Sequence, residues 1–286
     1  MTSFEQYLAQ QDLKPGTIRQ HERYVSYFQA WVMGAGLAPS QVTYREMLDF
    51  IDTLRSAGES INHINKILAS LRYYFRYRIK HAGGQPNPAA GMVLKGSIRT
   101  IPRDLLTRQE LEGLYAGYEI KDDRTHRNKV LLGLLTLQGL TRLELETIRP
   151  EHILLREGKI RVPATGKSNA RVLLLASSQI LDLSAYISEV RPRLQQSSGR
   201  LFCGRNSLES LKNSLLHLNH ALRKSNPKVK NAVQIRQSVL TEWLKEKDLR
   251  QVQYMAGHRY VSSTERYQTS NLEDLKEALS KHHPLK

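Results

Sequence analysis

The sequence predicts a mainly α protein with a small antiparallel sheet, an α+β chain whose N-terminal helical bundle precedes a larger domain. Three observations predict it. Apolar residues recur at helical spacing through residues 1–82, three short β-prone runs fall together between residues 153 and 175, and helical patterning resumes from Ser178. With 286 residues, 40% of them hydrophobic, the chain supplies cores for two ordinary domains.

In order along the chain, Ser3 caps a short first helix and Pro15-Gly16 interrupts it. Ile18, Val25, Phe28 and Val32 trace a second helix that stops at Gly34 and Gly36. Thr43 and Glu46 form a capping box for a third, which runs to Ala57-Gly58. The fourth begins near Ser60 and carries Ile64, Ile67, Leu68, Leu71 and Phe75 on one stripe. Residues 1–82 are read as this bundle. Residues 83–104, opening on AGGQPNPAAG, are rich in helix-breaking glycine and proline and are read as an interdomain linker.

A second domain is expected over residues 105–286. Thr107 and Glu110 cap a helix through Tyr115, and VLLGLLTLQGL at 130–140 is a buried helix ending near Gly139. Ile153-Leu155, Lys159–Val162 and Arg171–Leu175 are the three strands, the last two joined by a turn that includes Gly166-Lys167-Ser168. An amphipathic helix is expected over Ser238–Leu244 and a short tail helix over 271–281, with Leu272, Leu275 and Leu279 on one stripe.

Charge limits the partners. Lys and Arg number 43 against 27 Asp and Glu, a formal net charge of +16, so a polyanion is expected and nucleic acid leads. The fourth helix interleaves Lys66, Arg72, Arg76, Arg78 and Lys80 with Tyr73, Tyr74 and Tyr77. That mixture suits gripping phosphates and packing on sugars, and equally suits a solvated basic face above core tyrosines. The lone Cys203 excludes an internal disulfide framework and a cysteine-rich zinc site. No segment has the roughly 18 uninterrupted apolar residues of a membrane span and the N-terminus lacks a signal core, so the expectation is a cytoplasmic, nucleoid-associated protein without metal or other cofactor.

The most informative stretch is Arg236 followed by LRQVQYMAGHRYVSSTERYQ at 249–268. Here the chain resembles the tyrosine recombinase, or phage integrase, family, whose second box reads His-x-x-Arg, followed by Gly-His and then Tyr. Arg236, Gly257-His258 and Tyr267 stand in that order and spacing. The resemblance implies a DNA strand transferase in which Arg236 and His258 hold the phosphate while Tyr267 attacks it to form a 3′-phosphotyrosine. Lys167, in the turn between two strands, matches the family lysine that protonates the departing 5′-oxygen. Family members work on duplex DNA as homo-multimers, here a tetramer, in which bundle and catalytic domain grip the duplex and the tail docks on a neighbour. A site-specific recombinase or a transposon integrase of a mobile element is expected, with DNA integration, excision and inversion all open.

Two positions depart from the family. Gly139-Leu140-Thr141-Arg142-Leu143-Glu144-Leu145 aligns with its first box, Gly-Leu-Arg-x-x-Glu-Leu, so Thr141 stands at the arginine, and Arg142 next to it is either the candidate substitute or a surface charge. Val233 stands at the histidine of the second box. These departures raise the alternative of a catalytically weakened or inactive DNA-binding accessory protein of the same fold. A tyrosine-dependent topoisomerase or a metal-dependent nuclease is the third class, and no carboxylate cluster of metal-ligand type accompanies the motif.

Overall fold

The computed structural model describes residues 3–83, 86–96, 104–194, 199–202 and 211–268. The chain divides into two compact units, Met1–Arg99 and Thr100–Lys286. No helix among the described residues is long and apolar enough to cross a membrane.

The described residues of the first unit form α1 (Phe4–Ala9), α2 (Pro15–Gly34), α3 (Tyr44–Ser56) and α4 (Ile61–Ala82). Local chemistry sets their starts: Ser3 and Thr43 complete capping boxes with Gln6 and Glu46, and Ser60 caps α4 through the amide of His63. The predicted stripe of α4 is the core. Ile64, Ile67, Leu68 and Leu71 are buried against Phe28 of α2 and Phe50 of α3, and the two phenyl rings meet edge to face at 5.1 Å. Each such side chain contributes about 1.5–3 kcal/mol of transfer free energy.

Part of the segment read as a linker belongs to this packing. Ala89 and Met92 are buried in the first unit's core, Arg72 donates to the Met92 carbonyl at 2.9 Å, and Asn65 exchanges two hydrogen bonds with the Leu94 backbone. Its glycines and prolines stop α4, but its apolar residues still have a face to cover.

The second unit opens with α5 (Arg108–Ala116), α6 (Asp123–Thr136) and α7 (Arg142–Thr147). α6 starts seven residues before the predicted apolar run because Asp122 and Thr125 form a capping box, and it ends at Thr136. Strands β1 (Ile153–Leu154), β2 (Lys159–Val162) and β3 (Arg171–Leu174) form an antiparallel sheet in the order β1-β2-β3, with Lys159 opposite Leu174 and Val162 opposite Arg171. Helices α8 (Ser177–Ala185), α9 (Arg191–Leu194), α10 (Leu211–Ser225), α11 (Ala232–Glu246) and α12 (Leu249–Ala256) follow. A π-helical turn, Tyr186–Val190, joins α8 to α9.

Instead of beginning at Ser238, α11 starts at Ala232, because the Asn231 side chain accepts from the amides of Val233 and Gln234. That earlier start puts Arg236 on the helix. A last helical stretch covers 262–268. The tail helix expected over 271–281 lies outside the described residues.

Candidate active site

Arg236 projects from α11 with its side chain only 12% exposed. Its Nη1 donates to the Gly139 carbonyl, and its Nη2 donates to the Ala256 carbonyl at 2.7 Å and lies 3.3 Å from His258 Nε2. A carbonyl in the α6–α7 connection and one at the end of α12 therefore fix the guanidinium. Of its five N–H donors these contacts engage three, so donor capacity for a phosphate remains.

Gly257 terminates α12 with φ +68°, a left-handed conformation that suits glycine. Space imposes a second demand, since a Cβ there would lie 2.4 Å from Arg171 Nη1. The reversed chain presents His258, whose Nδ1 lies 2.8 Å from Oγ1 of the fully buried Thr264. Arginine only donates, so His258 Nε2 accepts and Nδ1 carries the proton toward Thr264. Burial, then the charges of Arg236 and Arg171, push the imidazole down to about 4, so it is neutral at pH 7.

Tyr267, on the helical stretch 262–268, stacks its ring on His258 at a centroid distance of 6.2 Å. Burial raises its phenol above the ordinary value, while Arg236 and Arg266 pull the other way. Desolvation outweighs the surrounding positive charge, so Tyr267 rests as a neutral phenol.

The β2–β3 turn is tied to the same place. Ser168 pairs with His258 in an antiparallel bridge, Asn169 donates its amide to the Gly257 carbonyl at 2.9 Å, and Arg259 donates to the Thr165 carbonyl at 3.0 Å. Lys167 is exposed on this anchored turn, and its ammonium has no hydrogen bond or ion pair among the described residues.

The first box departs from expectation. Thr141 caps α7, its hydroxyl accepting from the Glu144 amide and donating to that carboxylate. Arg142 is the first residue of α7, and one step along a helix turns a side chain by about 100°. It points to the surface, where Nη1 pairs with Glu146 at 2.8 Å and the side chain is 48% exposed. The structure thus does not bring Arg142 to Arg236, His258 and Tyr267. Val233 is 66% exposed on the first turn of α11 and contributes no polar group.

Two residues to which the sequence assigns no part occupy the centre. Glu144 is completely buried, 2.6 Å from Arg171 Nη1 and 3.8 Å from Arg236 Nη1. Burial pushes its carboxyl up, but the Arg171 hydrogen bond and charge, the Arg236 charge and the Thr141 amide together outweigh it and bring it down to about 2. Arg171 is at the start of β3, whose residues alternate inward and outward. Arg171 and Leu173 face in, Val172 and Leu174 out. The sequence carries no signal for it, because Arg-Val-Leu-Leu reads as well with Arg171 facing outward.

On α4, Lys66, Arg76 and Lys80 are exposed. Arg72 is committed to Met92, and one guanidinium nitrogen of Arg78 is buried without a hydrogen-bond partner among the described residues. The tyrosines are internal packing: Tyr74 is buried, Tyr77 packs on Phe4 and Tyr7, and Tyr73 meets His21. Among the described residues no group of three or more His, Cys, Asp or Glu side chains is placed to hold a metal ion.

A helical unit followed by a mixed unit that brings arginine, histidine and tyrosine together defines a protein of the DNA breaking and rejoining class. The chain belongs to the phage integrase family, which it matches over residues 104–274, and residues 1–82 match the N-terminal SAM-like domain of phage integrases. It is similar to the tyrosine recombinase XerC of Alcanivorax borkumensis, 26% identical over 277 residues, covering 95% of this chain and 89% of the relative. Similarity to the tyrosine recombinase XerD of Proteus mirabilis is 26% over 286 residues, covering 96% and 89%. In fold it resembles the XerH site-specific recombinase in its post-cleavage complex with palindromic difH substrate, with TM-score 0.71 and 19% identity over 92% of this chain and 79% of that one. It also resembles the Tn1549 transposon integrase in complex with transposon right end DNA, with TM-score 0.69 and 17% identity over 97% and 99%.

Proposed function

We propose that this chain is a site-specific recombinase that cuts and rejoins duplex DNA through a phosphotyrosine on Tyr267. The observation that carries the reading is the meeting of Arg236, His258 and Tyr267. Arg236 neutralises a non-bridging phosphate oxygen, Tyr267 gives its phenol proton to solvent as Oη bonds to phosphorus, and the bond from phosphorus to the 5′-oxygen breaks with that oxygen taking a proton from Lys167. The resulting 3′-phosphotyrosine conserves the bond energy for rejoining. His258 Nε2 accepts from Arg236 and carries no proton, so it donates to a phosphate oxygen only after this contact opens and the nitrogen is protonated.

The first unit binds duplex DNA through α4, residues 83–104 join it to the second, and recombination takes place in a tetramer on paired sites in the cytoplasm. The Tn1549 integrase, in complex with transposon right end DNA, and XerH, bound to its palindromic difH substrate, support the DNA partner. The second reading, a DNA-binding accessory protein, is favoured by one observation: Thr141 supplies no cation and Arg142 faces Glu146.

The test uses duplexes selected from a random pool by binding to the chain, then nicked to trap cleavage. The parent is expected to form a covalent adduct that peptide mapping places on Tyr267, and Tyr267→Phe to bind without forming it. Attachment elsewhere, or an adduct surviving in the variant, overturns the assignment. No adduct on a tightly bound duplex selects the accessory reading.

A further inference from the structure

The charge of the site does not come from where the family pattern places it. Glu144 is fully buried, and its Oε2 accepts from the Thr141 amide at 2.8 Å and the Thr141 hydroxyl at 2.9 Å. Its Oε1 accepts from Arg171 Nη1 at 2.6 Å, and the Arg236 guanidinium waits 3.8 Å from Oε2. Arg171 is locked by a second bond, from Nε to the Met255 carbonyl at 2.6 Å, and its side chain has no exposed surface. Its Nη2 has no hydrogen-bond partner among the described residues. Two fixed arginine cations therefore share one carboxylate beside a neutral His258, which leaves the cluster with one net positive charge. Removing Arg171 would leave Glu144 with Arg236 as its nearest cation, and the net charge would fall to zero.

We infer that Arg171 is a positioning residue of the phosphate site: it saturates Glu144 so that the Arg236 guanidinium stays free for the DNA phosphate, compensating in charge for the arginine missing at Thr141. The inference rests on the recombinase reading above. Arg171 itself does not touch the phosphate. It acts through a carboxylate, which is why restoring the charge balance by another route restores function.

The test compares the full-length parent with Arg171→Met, Arg171→Lys and the charge-balanced Arg171→Met/Glu144→Gln, scoring adduct formation on the trapped duplexes. Arg171→Met is expected to lose roughly 100-fold in adduct rate, the size of effect of losing one oriented donor, while Arg171→Lys retains part and the double variant returns to within about tenfold of the parent. A folded, DNA-binding double variant as inactive as Arg171→Met overturns the inference, as does parental activity in Arg171→Met. Should Arg171→Met fail to fold, the double variant alone carries the test. A second readout needs no DNA: the NMR titration of the His258 ring, which is faced by Arg236, Arg171, Glu144 and Arg266. Its midpoint is expected to rise in Arg171→Met and fall back toward the parent in the double variant. An unmoved midpoint overturns the inference even in a chain that forms no adduct, whereas a moved midpoint in such a chain sustains the charge coupling of Arg171 to the site and removes the recombinase reading.

Discussion

The imidazole of His258 and the phenol of Tyr267 lie nearly parallel, ring centroids 6.2 Å apart and planes inclined by 16°. The stack is held by Thr264, which belongs to the same helical stretch as Tyr267 and meets His258 Nδ1 with its buried hydroxyl. Thr264→Val keeps the shape and removes the acceptor, leaving a buried N–H unpaired at a cost of about 1–3 kcal/mol. A lowered thermal midpoint and slower adduct formation are expected, with recovery in Thr264→Ser. A valine variant that behaves like the parent would detach Thr264 from the site.

Gly257→Ala should be among the most damaging single-methyl changes in the second unit. Its φ of +68° disfavours a side chain, at about 1–3 kcal/mol for a residue held in such a region. The new Cβ would also meet Arg171 Nη1 at 2.4 Å and the Asn169 carbonyl at 3.1 Å. Calorimetry should show reduced stability, and the trapped duplex a slower adduct. An unchanged melting temperature would count against the close approach.

Arg142→Ala removes one exposed i,i+4 ion pair, worth about 0.3–0.5 kcal/mol, and adduct formation should stay close to parental. Glu144→Ala, by contrast, strands Arg171 in the interior and should destabilise by roughly 3–5 kcal/mol. Abolished cleavage in Arg142→Ala would mean that Arg142 leaves Glu146 when DNA binds.

Acid should weaken the second unit in two overlapping windows. His258 titrates at about 4 against an ordinary 6.5, so the unfolded chain takes up its proton first. Its contribution is complete above 6.5 and lost as pH falls toward 4, about 1–2 kcal/mol once solvent screening is allowed for. The depressed carboxyl of Glu144 contributes fully above 4.5 and loses that contribution as pH falls toward about 2. Denaturant unfolding from pH 7 to 3 reads this out, and in His258→Gln the upper window should disappear.

Charge reversal at Lys66, Arg76 or Lys80 should weaken duplex binding on every sequence and flatten the salt dependence by about 0.9 per lost phosphate contact, without lowering the thermal midpoint. Arg72→Ala should do the opposite, because its guanidinium holds the Met92 carbonyl. Equal binding losses at Arg72 and Arg76 would show that α4 presents both side chains to DNA.

What could be read from the chain alone followed from local rules. The capping boxes at Thr43 and Thr107, the apolar stripe of α4 and the order Arg236, His258, Tyr267 are properties of residues close in sequence. The start of α11 escaped because its cap, Asn231, lies outside the apolar pattern. The part of Arg171 escaped for a deeper reason: in a strand reading Arg-Val-Leu-Leu, hydrophobicity favours facing Val172 and Leu174 inward, and the opposite register is set by a carboxylate on α7 and a carbonyl at the end of α12. No window along the sequence contains that information.

The bond from Arg171 to the Met255 carbonyl joins residues 84 apart, and the bond from Asn169 to the Gly257 carbonyl runs beside it. Synthesis proceeds from the N-terminus, so the strand that bears Arg171 leaves the ribosome well before α12 exists to cover it. Contacts of such long range form late, once the loop between them has been closed. Arg236 depends on the same helix through the Ala256 carbonyl, so neither arginine is fully fixed before α12 is made. A nascent chain that ends before α12 lacks both carbonyls, and with them the orientation of Arg171 and Arg236.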